Sequence, residues 1–254
     1  MTATPPPDTP QETFISHLVE LRSRLLRSVV AIMVALVLLF PWAKEIYAAL
    51  AAPLLRVLPP GATMIATDVT GTFLVPLKVT LMAAFVVTLP YVLWQMWAFI
   101  APGLYQHEKK LAAPLIFSSV LFFLLGMAFA YFLVFPWVFA FFVGYAPAGV
   151  QMMTDIDKYL SFVLWMFVAF GATFEIPVVE VVLVRMGIVT IPKLKEVRRY
   201  VIVGAFIVAA VITPPDVVSQ LMLAVPMCLL YELGLVLARF FPPPKAEDVA
   251  TQAE

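Results

Sequence analysis

The sequence is poor in the residues that build metal and redox sites. Its 254 residues include one cysteine, Cys228, and two histidines, His17 and His107. A single cysteine excludes a disulfide framework. The two histidines stand far apart and outside the apolar segments, which argues against the clustered ligands that zinc requires. We therefore predict that the protein holds no metal and needs no cofactor.

Charged residues are scarce as well. They make up 13% of the chain against 63% hydrophobic residues, and the mean hydropathy is +1.00. No soluble domain of this size buries so much apolar surface, so lipid must be the solvent for most of the chain. The 16 basic and 16 acidic residues cancel, which gives no support for nucleic-acid binding.

Catalytic sequence motifs are absent. The chain contains no G-x-S-x-G, no H-E-x-x-H and no glycine-rich phosphate loop. We predict that the protein is not an enzyme. Energy for any transport would then come from the membrane potential or a proton gradient.

Six long apolar runs predict an all-α integral membrane protein with six transmembrane helices. They cover residues 25–42, 73–97, 111–137, 159–183, 200–213 and 217–238. The fifth run spans roughly 21 Å as a helix, against a hydrocarbon core of about 30 Å, so we expect the last two helices to be short. The membrane domain covers residues 14–240, and the polar tails 1–13 and 241–254 are expected to be disordered.

The basic residues predict the orientation. Twelve lysines and arginines stand before or at the start of the first run, between runs two and three, between runs four and five, or after the last run, and only four stand on the opposite side. By the positive-inside rule, both termini lie in the cytoplasm. We therefore expect a membrane that borders the cytoplasm.

Proline and aspartate mark bends and ends of these helices. Proline frees a backbone carbonyl and can bend a helix, so we expect kinked helices that enclose a concave face. The prolines concerned are Pro90, Pro114, Pro136, Pro177 and Pro226. After the turn that starts at Thr213, Asp216 is predicted to cap the last helix.

An acidic residue, Glu175, stands in the middle of the fourth run. A carboxylate at this depth costs at least a few kcal/mol to insert, so it usually faces a cavity, a partner or a proton path. The ordinary alternative is a hydrogen-bonded acid that holds helices together.

Two further acids lie on the predicted cytoplasmic side. Glu20 precedes the first run, and Glu108 lies between the second and third runs. Two carboxylates on one surface suit a cationic ligand, and arginine suits them best because its planar fork binds a carboxylate with two donors. The alternatives are a solvated Glu108 and an exposed ion pair of Glu20 with Arg24, four residues on.

Several segments together resemble the TatC family of twin-arginine protein translocase subunits. The resemblance covers residues 14–240 and rests on the strings HLVELRSRL, TMIATDV, WAFIAPGLYQHE, GMAFAYFLVFP, DIDKYLSFV, AFGATFEIPV and VGAFIVAAVITPPDVVSQ. It implies a receptor for the twin-arginine signal peptides of folded precursors. It also implies assembly with single-span TatA-like and TatB-like subunits and with other TatC copies, among membrane lipids.

The resemblance also suggests roles for particular residues. It implies that the signal peptide binds at Glu20, Arg22, Phe99 and Glu108. It implies functional polar residues inside the membrane at Glu175, Thr213, Asp216 and Gln220, and it places Pro53 in the periplasmic loop. Thr213 and Gln220 would lie where a partner helix docks. The sequence departs from the family at Lys109, where arginine is common, and at Glu180, an additional acid.

A second function is compatible with the buried acid. A proton-coupled transporter of small solutes could use Glu175 as its relay. That alternative leaves the two surface glutamates unexplained, and the two halves of the chain show no repeat.

Overall fold

A computed structural model describes residues 10–56, 64–100, 109–145, 153–213 and 216–241. Within these ranges the chain is helical apart from turns and one isolated parallel bridge, between Ile65 and Asp155. The first helix begins at Pro10, inside the predicted N-terminal tail. The rest of that tail and residues 242–254 lie outside the described residues.

Nine α-helices follow one another in the described ranges, with two short turns of other helical type. They are α1 (Pro10–Leu39), a 3-10 turn (Phe40–Trp42), α2 (Ala43–Leu55), α3 (Gly71–Ile100), α4 (Lys109–Phe129), a π-helical turn (Ala130–Val134), α5 (Phe135–Gly144), α6 (Ile156–Phe174), α7 (Ile176–Arg185), α8 (Ile191–Ile212) and α9 (Val217–Ala238). All six predicted apolar runs are helical. The all-α prediction is confirmed.

Five helical stretches of the described chain are long and apolar enough to cross a membrane. They are His17–Pro53, Gly71–Ile100, Ala113–Gly144, Ile156–Arg185 and Val217–Ala238. Helix α8 accounts for the remaining predicted span. Its apolar part is shorter than those of the other spans because charged residues occupy its first turns, namely Lys193, Lys195, Glu196, Arg198 and Arg199.

Three of the spans are interrupted near a proline. The 3-10 turn after α1 contains Pro41, the π-helical turn precedes Pro136, and the break between α6 and α7 falls at Glu175, two residues before Pro177. Proline has no N–H and cannot close the normal hydrogen bond to the preceding turn. The predicted bends at Pro136 and Pro177 therefore coincide with breaks, whereas Pro90, Pro114 and Pro226 lie inside continuous helices.

Helices α8 and α9 correspond to the two spans that were predicted to be short, and they form a hairpin. Each helix has 22 residues, about 33 Å, which is enough to cross. Arg198 of α8 pairs with Glu232 of α9 at 2.6 Å, so the charged parts of the two helices meet at one level. Between this ion pair and Thr213, at the end of α8, the apolar part of the hairpin is short. Arg198 can also extend its stem toward the membrane surface.

Helices α4 and α6 approach each other closely through two glycines. A methyl group on Gly126 would overlap the carbonyl oxygen of Phe170, and one on Gly171 would overlap the ring of Phe123. Small residues at helix contacts let backbones come together and gain van der Waals contact, which is a major source of association in lipid. This contact holds α6, the most buried span of the described chain, against α4.

The segment before α3 is fastened to the start of α6 by Asp155. This residue caps α6 by accepting hydrogen bonds from the amides of Asp157 and Lys158, both at 3.0 Å. It also accepts from the amide of Thr67 at 3.2 Å and from the Thr67 hydroxyl. Nearby, Lys78 Nζ donates to Asp157 Oδ1 at 2.6 Å and ties α3 to α6. Donation from the Thr67 hydroxyl and the Lys158 amide lowers the pKa of Asp155 to about 2.

We predict that Gly126→Ala destabilises the protein by about 1–3 kcal/mol, because the added methyl meets a backbone carbonyl that cannot turn aside. Unfolding in mixed detergent micelles measures the change. Gly204→Ala is the matched control, because Gly204 also lies inside a helix but has open space around its Cα. This control should be neutral or gain up to about 1 kcal/mol. Equal effects of the two substitutions would contradict the close helix contact.

We predict that the contribution of Asp155 to stability disappears in acid. Its pKa is about 2 in the folded protein and about 3.9 in an unfolded chain. The carboxylate therefore stabilises the fold fully above about pH 5, and the effect declines between about pH 4 and pH 2. The thermal midpoints of wild type and Asp155→Ala in detergent should differ by a constant amount near neutrality and converge in acid. A gap that stays constant down to pH 2 would show that the carboxylate charge is not involved.

Candidate functional site

The Glu20 carboxylate lies on α1 at the end of the bundle where α1 and α3 meet. Its side chain is 45% exposed. Arg24, one turn further along α1, donates to Glu20 Oε1 from Nε at 2.8 Å and from Nη2 at 2.6 Å. The exposed ion pair considered from the sequence is therefore present.

The same arginine connects α1 to α3. Arg24 Nη1 donates to Oε1 of Gln95 at 3.2 Å, and Gln95 Nε2 donates to the Tyr91 hydroxyl at 2.8 Å. Gln95 is only 4% exposed. Sequence reasoning missed Gln95 and Tyr91, although a glutamine inside an apolar run is a usable signal that a polar partner lies nearby.

Two stacked aromatic rings lie about one helical turn before Glu20 on α1. His17 of α1 stacks on Phe99 of α3, with 4.3 Å between ring centroids and 22° between the planes. Phe99 is half-buried and Arg22 is exposed on α1. The structure thus brings Glu20 and Phe99 to one end of the α1–α3 pair. Glu108, the other predicted carboxylate, lies outside the described residues.

Pro53, predicted in the connection between the first two spans, lies within helical structure. Pro53 lies inside α2 and is buried. A proline there cannot donate to the carbonyl of Ala49, four residues earlier. The Tyr131 hydroxyl, from the π-helical turn, donates to that carbonyl at 2.8 Å. The helix tolerates the proline because another span supplies the missing donor.

Glu175 occupies the break between α6 and α7, well inside the bundle. It is 6% exposed, and neither carboxylate oxygen accepts a hydrogen bond within the described chain. The Ser119 hydroxyl of α4 lies beside the carboxylate, outside hydrogen-bond geometry. Ser119 itself accepts from Trp97 Nε1 of α3 at 2.8 Å, so its own proton remains available to Glu175. The sequence did not identify Ser119 or Trp97.

The additional acid, Glu180, lies in the contact between α7 and α9. It is 4% exposed, and both of its carboxylate oxygens lack a partner among the described residues. Its carboxylate lies directly against Gly234, where any side chain would overlap it. Glu180 therefore faces the inside of the bundle rather than lipid, and α9 can approach α7 only because residue 234 is glycine.

Thr213, Asp216 and Gln220 each make a hydrogen bond within the chain, whereas Asp216 Oδ2 and the Ser219 hydroxyl have no partner among the described residues. Thr213 is buried and its hydroxyl donates to the Ala209 carbonyl at 2.8 Å. Asp216 Oδ1 accepts from the Ser219 amide at 2.7 Å, which confirms the predicted cap of α9. Gln220 Nε2 donates to the Phe206 carbonyl at 3.2 Å and joins α9 to α8.

These features define a polytopic α-helical membrane protein with a carboxylate and aromatic surface at one end and a buried carboxylate at a helix break. Among the described residues, no three or more metal-ligating side chains come together.

The chain belongs to the TatC family. Residues 16–226 match the sequence model of the family described as Sec-independent protein translocase protein (TatC). The TatC protein of Azotobacter chroococcum mcd 1 is 54% identical over 250 residues, which cover 97% of this chain and 98% of that protein. The TatC protein of Escherichia coli strain K12 is 50% identical over 230 residues, covering 91% of this chain and 89% of that protein.

A solved structure has the same fold. The crystal structure described as twin arginine translocase receptor TatC superposes with a TM-score of 0.79 at 39% sequence identity. The superposition covers 88% of this chain and 98% of that one.

Proposed function

We propose that this protein is the receptor and a core component of a twin-arginine protein export system. It binds the twin-arginine signal peptides of folded precursors. The observation that carries the proposal is the partly exposed Glu20 carboxylate beside the His17–Phe99 stack, in a chain whose solved relative is named a twin arginine translocase receptor. Family membership supports this function over the solute transporter considered from the sequence.

The chemistry of the Glu20 surface suits a guanidinium. Arginine binds a carboxylate with two parallel donors, and its planar group stacks on aromatic rings. Glu20 offers the carboxylate, and the rings of His17 and Phe99 lie at the same end of α1 and α3. Glu108 is proposed as the second acid, so that each carboxylate receives one arginine of the signal peptide. Arg22 and Phe99 complete the binding surface.

The orientation follows from the basic residues. The end of the bundle with Glu20 faces the cytoplasm, where precursors fold before export, and both termini lie on that side. The protein then resides in the bacterial cytoplasmic membrane. It assembles there with TatA-like and TatB-like single-span subunits and with other TatC copies. Thr213 and Gln220, near the opposite ends of α8 and α9, are proposed as docking positions for a partner helix.

Glu175 is proposed as a polar contact for helices inside the membrane. Its carboxylate is covered by neighbouring side chains, so a signal helix or a partner helix reaches it only when the bundle opens around the α6–α7 break. The Ser119 hydroxyl lies beside the carboxylate in the closed state without a hydrogen bond to it. A carboxylate without a fixed partner can accept a donor from an arriving helix at little cost, because it gives up no existing hydrogen bond.

We predict that Glu20→Ala and Glu108→Ala each weaken binding of a twin-arginine peptide by about tenfold or more. Each loses a charge-assisted contact worth on the order of 1.5–3 kcal/mol. Site-specific crosslinking of a precursor and peptide titration of the purified protein measure the loss. Glu45→Gln, which neutralises an exposed acid on α2, is the control and should bind normally. Wild-type crosslinking by both alanine variants would refute the assignment.

We predict that Glu175→Gln retains much of the export activity, because it keeps hydrogen bonding and loses only ionisation. Glu175→Leu removes both and should impair export, while precursor binding at Glu20 stays intact. Ser119→Ala should give a milder export defect than Glu175→Leu. Export of a folded reporter in cells that lack their own TatC tests all three variants. If glutamine is as damaging as leucine, ionisation is required and the contact role is wrong.

A further inference from the structure

The Glu20 carboxylate already holds an arginine when no signal peptide is bound. Arg24 Nε and Nη2 both donate to Glu20 Oε1, and Oε2 is the acceptor of neither bond. A signal arginine would also direct two donors at this carboxylate. An incoming guanidinium must therefore share Glu20 with Arg24 or displace it.

Arg24 also binds a second acceptor, Gln95. It can therefore keep one hydrogen bond if it leaves Glu20. Its Nη1 donates to Oε1 of Gln95 at 3.2 Å, and Gln95 is held by its own bond to the Tyr91 hydroxyl. Gln95 is buried and sits on α3, a different helix from that of Glu20. The Arg24 side chain, at 24% exposure, lies between the buried amide and the exposed acid. It can turn from one toward the other without leaving the site.

We propose that Arg24 is a built-in competitor that regulates access of ligand arginines to Glu20. This inference rests on the proposed receptor function of Glu20. In the resting protein Arg24 neutralises the carboxylate, and a signal arginine takes its place while Arg24 stays bonded to Gln95. Arg24 thereby sets the affinity of the site without contributing a favourable contact to the complex.

Competition within one chain has a clear thermodynamic signature. The resident arginine lowers the affinity of every ligand that must displace it by the same factor, because the cost of displacement is a property of the protein alone. Removing the competitor should strengthen binding of an arginine-pair peptide and of a lysine-pair peptide equally. Ion pairs of this exposure are modest, so we expect a gain of about threefold to tenfold.

The test is peptide titration of the full-length protein in detergent. The probes are fluorescent synthetic peptides with two consecutive arginines, or two lysines, before an apolar segment. Arg24→Lys keeps the charge but loses the two-donor fork, and Arg24→Gln removes both. Arg27→Gln is the matched control, because Arg27 is an exposed arginine one turn further along α1 and reports the general effect of removing one positive charge.

We expect both Arg24 variants to bind the arginine peptide at least threefold more tightly than wild type, and Arg24→Gln more tightly than Arg27→Gln. The ratio of the two peptide affinities should stay unchanged. Weaker or unchanged binding by Arg24→Lys and Arg24→Gln would overturn the inference, since Arg24 would then position Glu20 or play no part.

Glu20→Gln in the same titration separates the inference from the proposed function. If this variant binds as wild type, Glu20 is not the receptor site and the proposed function of this residue fails. If Glu20→Gln loses binding but the Arg24 variants gain none, only the competitor role fails. In the double variant Glu20→Gln with Arg24→Gln, the gain should vanish, because Arg24 acts through Glu20. A gain that persists would also overturn the inference.

Discussion

Inside a hydrocarbon layer there is no water, so a polar group can form hydrogen bonds only with other groups of the protein. This constraint determines how the helices of the bundle pack. Where Pro53 leaves the carbonyl of Ala49 without its helical donor, Tyr131 of another span supplies one. The indole of Trp97 finds Ser119 on the neighbouring helix. Each of these bonds joins two spans, so the need to satisfy polar atoms also fixes which helices lie side by side.

The two intramembrane acids depart from this rule. Glu175 and Glu180 are buried, and their carboxylate oxygens have no partner in the described chain. Glu175 lies at the α6–α7 break, and Glu180 lies against Gly234 of α9. The cost of burying them must be offset by packing around the break. Such sites are the places where an incoming donor gains most, because it finds a desolvated acceptor that no internal bond occupies.

Sequence reasoning found the features that depend on local pattern. The apolar runs, the cap at Asp216 and the pair of Glu20 with Arg24 follow from spacing along one helix, and the structure contains them. It did not find contacts between distant segments, such as Arg24 with Gln95, which are 71 positions apart, or Thr67 with Asp155, which are 88 apart. Periodicity tells which face of a helix is apolar but not which helix covers it. The helical setting of Pro53 was missed for a related reason: its tolerance inside α2 depends on a tyrosine from another span.

The positions of Glu20 and Glu175 suit them to different steps of recognition. Glu20 is partly exposed, so an exchange of one guanidinium for another keeps its charge solvated and paired throughout, and the exchange can be fast and reversible. Glu175 has no such exchange available: any partner must first displace the side chains that cover it. Selection of a signal peptide therefore belongs at the surface, where a wrong ligand leaves at little cost. The deep carboxylate can act only after the bundle has opened, because a helix must enter before it can donate a hydrogen bond there.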